Sequence, residues 1–114
     1  MTTFFKPDRK ASMSAAHLVA IRKTPSCISG RLPCDAHHLR VSAERGVAMK
    51  ATDRWAVPLT HDEHMNLHTY GSRLELDWFA KHGVNDPYGL AKELWACSGD
   101  LLAMRRAIGR FRAL

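Results

Sequence analysis

Two pairs of histidines are the residues of this chain whose types and spacing could do chemistry. His37 and His38 are adjacent, and His64 and His68 are four residues apart. Five of the seven histidines fall between His37 and His68. Because imidazole nitrogens are common ligands of divalent metal ions, this clustering predicts a metal site.

The spacing within each pair predicts which side chains can share one ion. Residues four apart on a helix project from the same face about one turn apart, so His64 and His68 can bind a single divalent ion. His37 and His38 lie on a predicted extended segment, where successive side chains point to opposite sides. One of these two histidines can therefore complete the metal site, while the other faces a different group next to that site. Three ligands with open positions are typical of a catalytic metal.

Capping residues and breakers predict the elements that position these histidines. Thr60 and Glu63 have the spacing of a capping box, which predicts a helix from about His61 to Gly71. Ahead of it, residues 32–39 and 55–58 are predicted as short strands, the second ended by Pro58. Residues 40–52 are predicted as the loop between the strands.

Similar signals predict the remaining helices. Ser72 and Glu75 repeat the capping-box spacing, and Asp86 followed by Pro87 is typical of an N-cap and first helical position. The predicted helices cover residues 14–23, 72–83, 86–95 and 101–114. We expect an α+β fold, with a basic N-terminal arm (residues 1–12), a central domain (13–97) and a basic amphipathic C-terminal helix (98–114).

Composition limits the class of protein. The chain has 114 residues, 46% of them apolar and 25% charged, which is typical of one globular domain. Three cysteines without a repeated spacing favour a reducing compartment, and the first ten residues lack the apolar block of a signal peptide. We therefore expect a cytoplasmic protein without a membrane partner. A net charge of +6 favours polyanion partners.

The sequence lacks residues that several known metal-binding and phosphate-binding motifs require. A zincin helix needs glutamate directly after its first histidine, where this chain has Met65. A two-Cys, two-His zinc finger needs closely spaced cysteines, and the spacing of Cys27 and Cys34 to His64 does not fit. No glycine-rich phosphate loop is present. The favoured interpretation of Cys34 is a small buried residue.

Four stretches together resemble the HNH, or ββα-metal, endonucleases. They are Cys-Ile-Ser-Gly (27–30), Asp-Ala-His-His-Leu-Arg (35–40), Asp-Arg-Trp-Ala-Val-Pro-Leu (53–59) and His-x-x-x-His-x-x-Gly (64–71). More narrowly, they are similar to small prophage HNH proteins related to the recombination-associated nuclease Ref. The resemblance covers about residues 24–95 and implies a ββα-metal core.

The resemblance also implies a role for each histidine. His38 would be the general base that deprotonates the attacking water, while His37, His64 and His68 would bind one divalent ion (Mg, Mn or Zn). Asp53 falls where the family has the residue that orients the base; its other interpretation is an ordinary turn residue. The implied activity is metal-dependent hydrolysis of phosphodiester bonds in phage or mobile-element DNA.

One departure from the family concerns its structural zinc. Many relatives hold this ion with two Cys-x-x-Cys pairs, and the matching positions here are Cys27 with Gly30 and Thr60 with Glu63. A structural zinc is therefore not expected, since three of the four ligands are missing. A substitute site formed by Cys27, Cys34 and His61 remains an alternative.

Basic residues in two regions are candidates for contacts with nucleic acid. Their alternative interpretation is that they are solvated surface charges, and no base-reading motif accompanies them. A non-catalytic nucleic-acid-binding or recombination accessory protein on the same scaffold is the second hypothesis, and a plain metal-binding structural domain is the third. A recombination helper protein and a second copy of the chain are left open as further partners. The candidate DNA-binding residues are Arg40, Arg45, Lys50, Arg54, Arg105, Arg106 and Arg110.

Overall fold

Two short antiparallel strands, followed directly by a helix, occupy the middle of the chain. In the computed structural model, which describes residues 7–40 and 53–112, the strands are β1 (Asp35–His38) and β2 (Ala56–Leu59). Their register places His37 opposite Val57 and His38 opposite Ala56. The helix that follows, α2 (His61–Tyr70), packs against both strands.

The predicted start of α2 is confirmed. The hydroxyl of Thr60 accepts a hydrogen bond from the backbone N–H of Glu63, and the carboxylate of Glu63 accepts one from the backbone N–H of Thr60. This reciprocal pairing satisfies two donors that a helix N-terminus otherwise leaves free. Gly71 follows the helix at φ 120°, a conformation that favours glycine.

Four further α-helices complete the described fold. The predicted cap of the fourth helix is confirmed, because the Asp86 carboxylate accepts from the backbone N–H of Gly89. Short 3-10 helices precede β2 and α3. The described residues thus form an α+β domain, the fold class that the sequence predicts. The bounds are α1 (Pro7–Arg22), the first 3-10 helix (Asp53–Trp55), the second (Ser72–Leu74), α3 (Glu75–Lys81), α4 (Pro87–Ala96) and α5 (Leu101–Phe111).

Three sequence-based expectations are corrected by these bounds. Residues 7–12, predicted as part of a loose arm, form the first turns of α1, where Pro7 occupies a position that favours proline. The second predicted capping box does not form, because α3 begins at Glu75 without a side-chain cap and the Glu75 carboxylate is used elsewhere. The second strand begins one residue later than predicted and continues through Pro58 to Leu59.

The core lies where the sheet meets the five described α-helices. β2 is buried along its whole length, and Leu67 is the residue of α2 that enters the core. Trp78 and Phe79 of α3 and Leu90 of α4 are also fully buried. Burial of large side chains of this kind contributes about 1.5 to 3 kcal/mol each, so the core holds β1 and α2 together. Within the described ranges, no helix is both long and apolar enough to span a bilayer.

Candidate active site

His37 and His38 lie on opposite sides of β1, as the strand period predicts. His37 is 6% exposed, and its ring contacts the ring of Phe79 in the core, with centroids 6.1 Å apart. The side chain of His38 is 38% exposed. The strand therefore separates a histidine buried under the sheet from one that solvent and a large substrate can reach.

His38 is held by Asp53, the residue that the resemblance to the HNH endonucleases implies as its partner. Nε2 of His38 donates to Oδ1 of Asp53 at 2.8 Å, and the Asp53 side chain is 31% exposed. Asp53 begins the 3-10 helix that leads into β2, and the antiparallel pairing brings it back beside the end of β1. With a proton on Nε2, a neutral imidazole keeps its lone pair on Nδ1. His38 can therefore accept a proton through Nδ1 from a molecule in solvent.

His37 is held in the same manner by a different carboxylate. Nε2 of His37 donates to Oε1 of Glu75 at 2.8 Å, and the second oxygen of Glu75 accepts from the backbone N–H of Arg40 at 2.9 Å. Glu75 is only 4% exposed. Nδ1 of His37 is buried and has no hydrogen-bond partner in the described part of the chain.

His64 and His61 share a third carboxylate, so four of the described histidines each donate to a carboxylate. Nδ1 of His64 donates to Oδ2 of Asp35 at 3.1 Å, and Nδ1 of His61 donates to the same oxygen at 3.1 Å. Hydrogen bonds from His64 and then from His61 hold the pKa of Asp35 below its ordinary value. Carboxylates that hold the outer nitrogen of a histidine are typical of metal ligands and of catalytic bases.

The rings of the three proposed ligands are neighbours. The ring centroids of His37 and His64 are 5.0 Å apart, and those of His64 and His68 are also 5.0 Å apart. An imidazole bound at about 2 Å has its centroid about 3 Å from the ion, so two rings on one tetrahedral ion stand about 5 Å apart. The two measured spacings match this value.

The described side chains do not form a closed metal site in this arrangement. Across residues 7–40 and 53–112, no group of three or more His, Cys, Asp or Glu side chains has the geometry to hold an ion. His68 is exposed, whereas the side chain of His64 is 20% exposed and is bonded to Asp35 through Nδ1. Binding of an ion would therefore require these side chains to rearrange.

Two residues of this site, Glu75 and Asp35, were missed by the sequence analysis. Glu75 was assigned to a capping box because of its spacing from Ser72, yet its carboxylate bonds to a histidine 38 residues away. Asp35 precedes the histidine pair by two residues, so its place on the strand puts its side chain on the same side as His37. That alternation was a signal that could have identified Asp35.

A hydrogen-bonded cluster lies at the positions that would match the structural zinc ligands of many HNH endonucleases, which the sequence resembles. The Ser26 hydroxyl donates to Oε1 of Glu63 at 2.6 Å and accepts from the backbone N–H groups of Ile28 and Ser29, each at 3.1 Å. Cys27 and Cys34 are buried, and burial raises the pKa of the Cys34 thiol to about 12. The side chains of this region therefore join the turn after α1 to the start of α2.

The candidate DNA-binding residues fall into two separate regions. Arg40 and Arg54 are exposed and flank the His38–Asp53 pair in sequence; the Arg54 guanidinium lies 5.9 Å from the centroid of the Trp55 ring. On α5, Arg105, Arg106 and Arg110 are exposed, and Arg110 is paired with Glu93 of α4. Arg45 and Lys50 lie outside the described residues.

Comparisons with known proteins identify a family. No curated protein and no solved structure matches the chain. A family model described as "Protein of unknown function (DUF968)" matches residues 1–89, which include β1, β2, α2 and Glu75. Because this match covers more than half of the sequence, the chain belongs to the DUF968 family.

Proposed function

We propose that the protein is a metal-dependent DNA endonuclease of the HNH, or ββα-metal, type. The observation that carries the proposal is the His38–Asp53 pair, 2.8 Å apart and open to solvent, beside the neighbouring rings of His37, His64 and His68. The order of β1, β2 and α2 also supports it, since this order matches the ββα arrangement implied by the resemblance.

In the proposed reaction, His38 activates water. Asp53 accepts from Nε2 of His38, which fixes the ring and leaves Nδ1 to take a proton from a water molecule. The resulting hydroxide attacks phosphorus, and the bond to the leaving sugar oxygen breaks. Asp53 also stabilises the imidazolium that forms when His38 accepts the proton. A divalent ion held by His37, His64 and His68 would supply positive charge beside the phosphate and the leaving oxygen.

Exposed arginines near this pair would hold the substrate. Arg40 and Arg54 are both exposed, and contacts from such side chains to phosphates position a duplex without reading its sequence. The arginines of α5 form a second basic surface, where each phosphate contact would release counterions. The proposed substrate is therefore DNA bound without strong sequence preference.

Nicking of supercoiled plasmid by purified protein tests the proposal. We expect wild-type protein to cut in Mg²⁺ or Mn²⁺ and not in EDTA, and we expect His38→Ala to lose the activity. His82→Ala is the matched control, because His82 lies at the C-terminal end of α3 and its Nδ1 donates to the Trp78 carbonyl oxygen. If DNA binds in a salt-dependent way but no variant cuts, the second hypothesis, a non-catalytic nucleic-acid-binding or recombination accessory protein, replaces the first.

A further inference from the structure

Glu75 is a buried carboxylate whose two oxygens both face donors. It is 4% exposed, and its oxygens accept from Nε2 of His37 and from the backbone N–H of Arg40. Burying a carboxylate is costly unless its oxygens are hydrogen-bonded. The main-chain N–H of Arg40 can only donate, so Oε2 of Glu75 is its acceptor and Oε1 is left to the His37 ring.

This arrangement determines where the His37 ring carries its proton. Because Glu75 accepts at Oε1, Nε2 of His37 is the nitrogen that bears hydrogen, and the lone pair of the neutral ring is on Nδ1. Nδ1 is buried and has no hydrogen-bond partner among the described residues. A buried polar atom without a hydrogen bond destabilises the fold, and a metal bond at Nδ1 would offset that cost.

We propose that Glu75 is the positioning residue of His37, holding the ring through Nε2 so that Nδ1 is the nitrogen offered to a divalent ion. The inference rests on the proposed function for the role of the ion. Glu75 also holds the backbone at Arg40, two residues after the end of β1. One carboxylate thus fixes both the His37 ring and the backbone that follows its strand.

Ring nitrogen NMR of metal-free protein tests the proton position without relying on activity. In protein labelled with ¹⁵N-histidine, we expect His37 to be protonated at Nε2 and unprotonated at Nδ1, and Zn²⁺ to shift the Nδ1 signal. The His37 signals are assigned by their loss in His37→Gln. A wild-type His37 that carries its proton on Nδ1 would overturn the inference, even if the protein proves to be a nuclease.

Metal affinity of variants tests the positioning role. We expect Glu75→Ala to weaken Zn²⁺ binding about 10- to 100-fold, the usual effect of losing a carboxylate behind a histidine ligand. Glu75→Gln keeps one acceptor oxygen and should weaken binding less. Glu93→Gln, which alters an exposed carboxylate on α4, is the matched control and should bind as wild type does.

The outcomes separate this inference from the proposed function. If Glu75→Ala does not fold, as judged by circular dichroism, Glu75→Gln and the wild-type proton position carry the test. Unchanged Zn²⁺ affinity in both folded Glu75 variants overturns the positioning role and leaves the nuclease proposal standing. If Nε2 is protonated but Zn²⁺ leaves the Nδ1 signal unmoved, His37 is not a ligand, and both the inference and the proposed metal site are overturned.

Discussion

Replacing Glu63 with alanine should lower the free energy of unfolding by about 2 to 4 kcal/mol. The carboxylate accepts from the backbone N–H of Thr60 at 2.8 Å and from the hydroxyl of Ser26 at 2.6 Å. Loss of the cap costs about 1 kcal/mol. Ser26 is fully buried, and leaving its hydroxyl without an acceptor costs about 1 to 3 kcal/mol more.

Urea unfolding monitored by tryptophan fluorescence would measure this loss. Asp62→Ala is the matched control, because Asp62 is exposed in the same first turn of α2 and should contribute less than about 1 kcal/mol through the helix dipole. A loss of stability in Glu63→Ala no greater than in Asp62→Ala would show that the hydrogen bonds of Glu63 do not hold the start of α2.

The charge of Glu63 adds a dependence on pH. Burial raises its pKa, but hydrogen bonds from Ser26, Ser29 and Thr60 outweigh this effect and hold the pKa below the ordinary value of 4.5. A carboxyl whose pKa is lower in the folded state stabilises the fold above its unfolded pKa, and the stabilisation is lost as the pH falls through the folded pKa. The difference in free energy of unfolding between wild type and Glu63→Gln should therefore be largest at neutral pH and decrease below pH 4.5.

Two further predictions concern the second half of the fold and the thiols. Gly89→Ala should destabilise the protein by about 1 to 2 kcal/mol in urea unfolding, because an added Cβ would lie 2.2 Å from the Asp86 carboxylate that caps α4. Gly109→Ala meets nothing within 4 Å and should be neutral or stabilising by up to about 1 kcal/mol; equal losses would contradict the cap argument. In a thiol-reagent assay of native protein at pH 8, Cys97 should react first, and Cys34, whose pKa is raised to about 12 by burial, should react only on unfolding. Fast labelling of Cys34 in the folded state would contradict its burial.

Local patterns predicted the elements that local interactions stabilise. The capping box of Thr60 and Glu63 is confirmed, and so is the cap formed by Asp86, because a side chain and a backbone donor three residues apart need no other part of the chain. The opposite placement of His37 and His38 follows in the same way from the period of a strand. These features depend on spacing alone.

The roles that depend on tertiary structure could not be predicted from spacing. Ser72 and Glu75 have the same pattern as Thr60 and Glu63, yet packing of α3 beneath β1 brings Glu75 to His37, and this contact replaces the cap. Likewise, Ser26 reaches Glu63 across 37 positions of sequence. A local sequence pattern cannot predict these contacts, because they depend on how distant elements pack together.

Plasmid cleavage by wild-type protein and by variants of His38 and Asp53 is the most direct test of the proposed nuclease function. Rates of plasmid cleavage at saturating Mn²⁺ should fall about 100- to 10,000-fold for His38→Ala, the usual contribution of a general base. Asp53→Ala removes one charge-assisted hydrogen bond at a partly exposed position, and should reduce the rate about 10-fold. We expect a graded loss of the cleavage rate, largest for His38→Ala. Equal rates in wild type, Asp53→Ala and His38→Ala would contradict the proposed role of His38 as the general base.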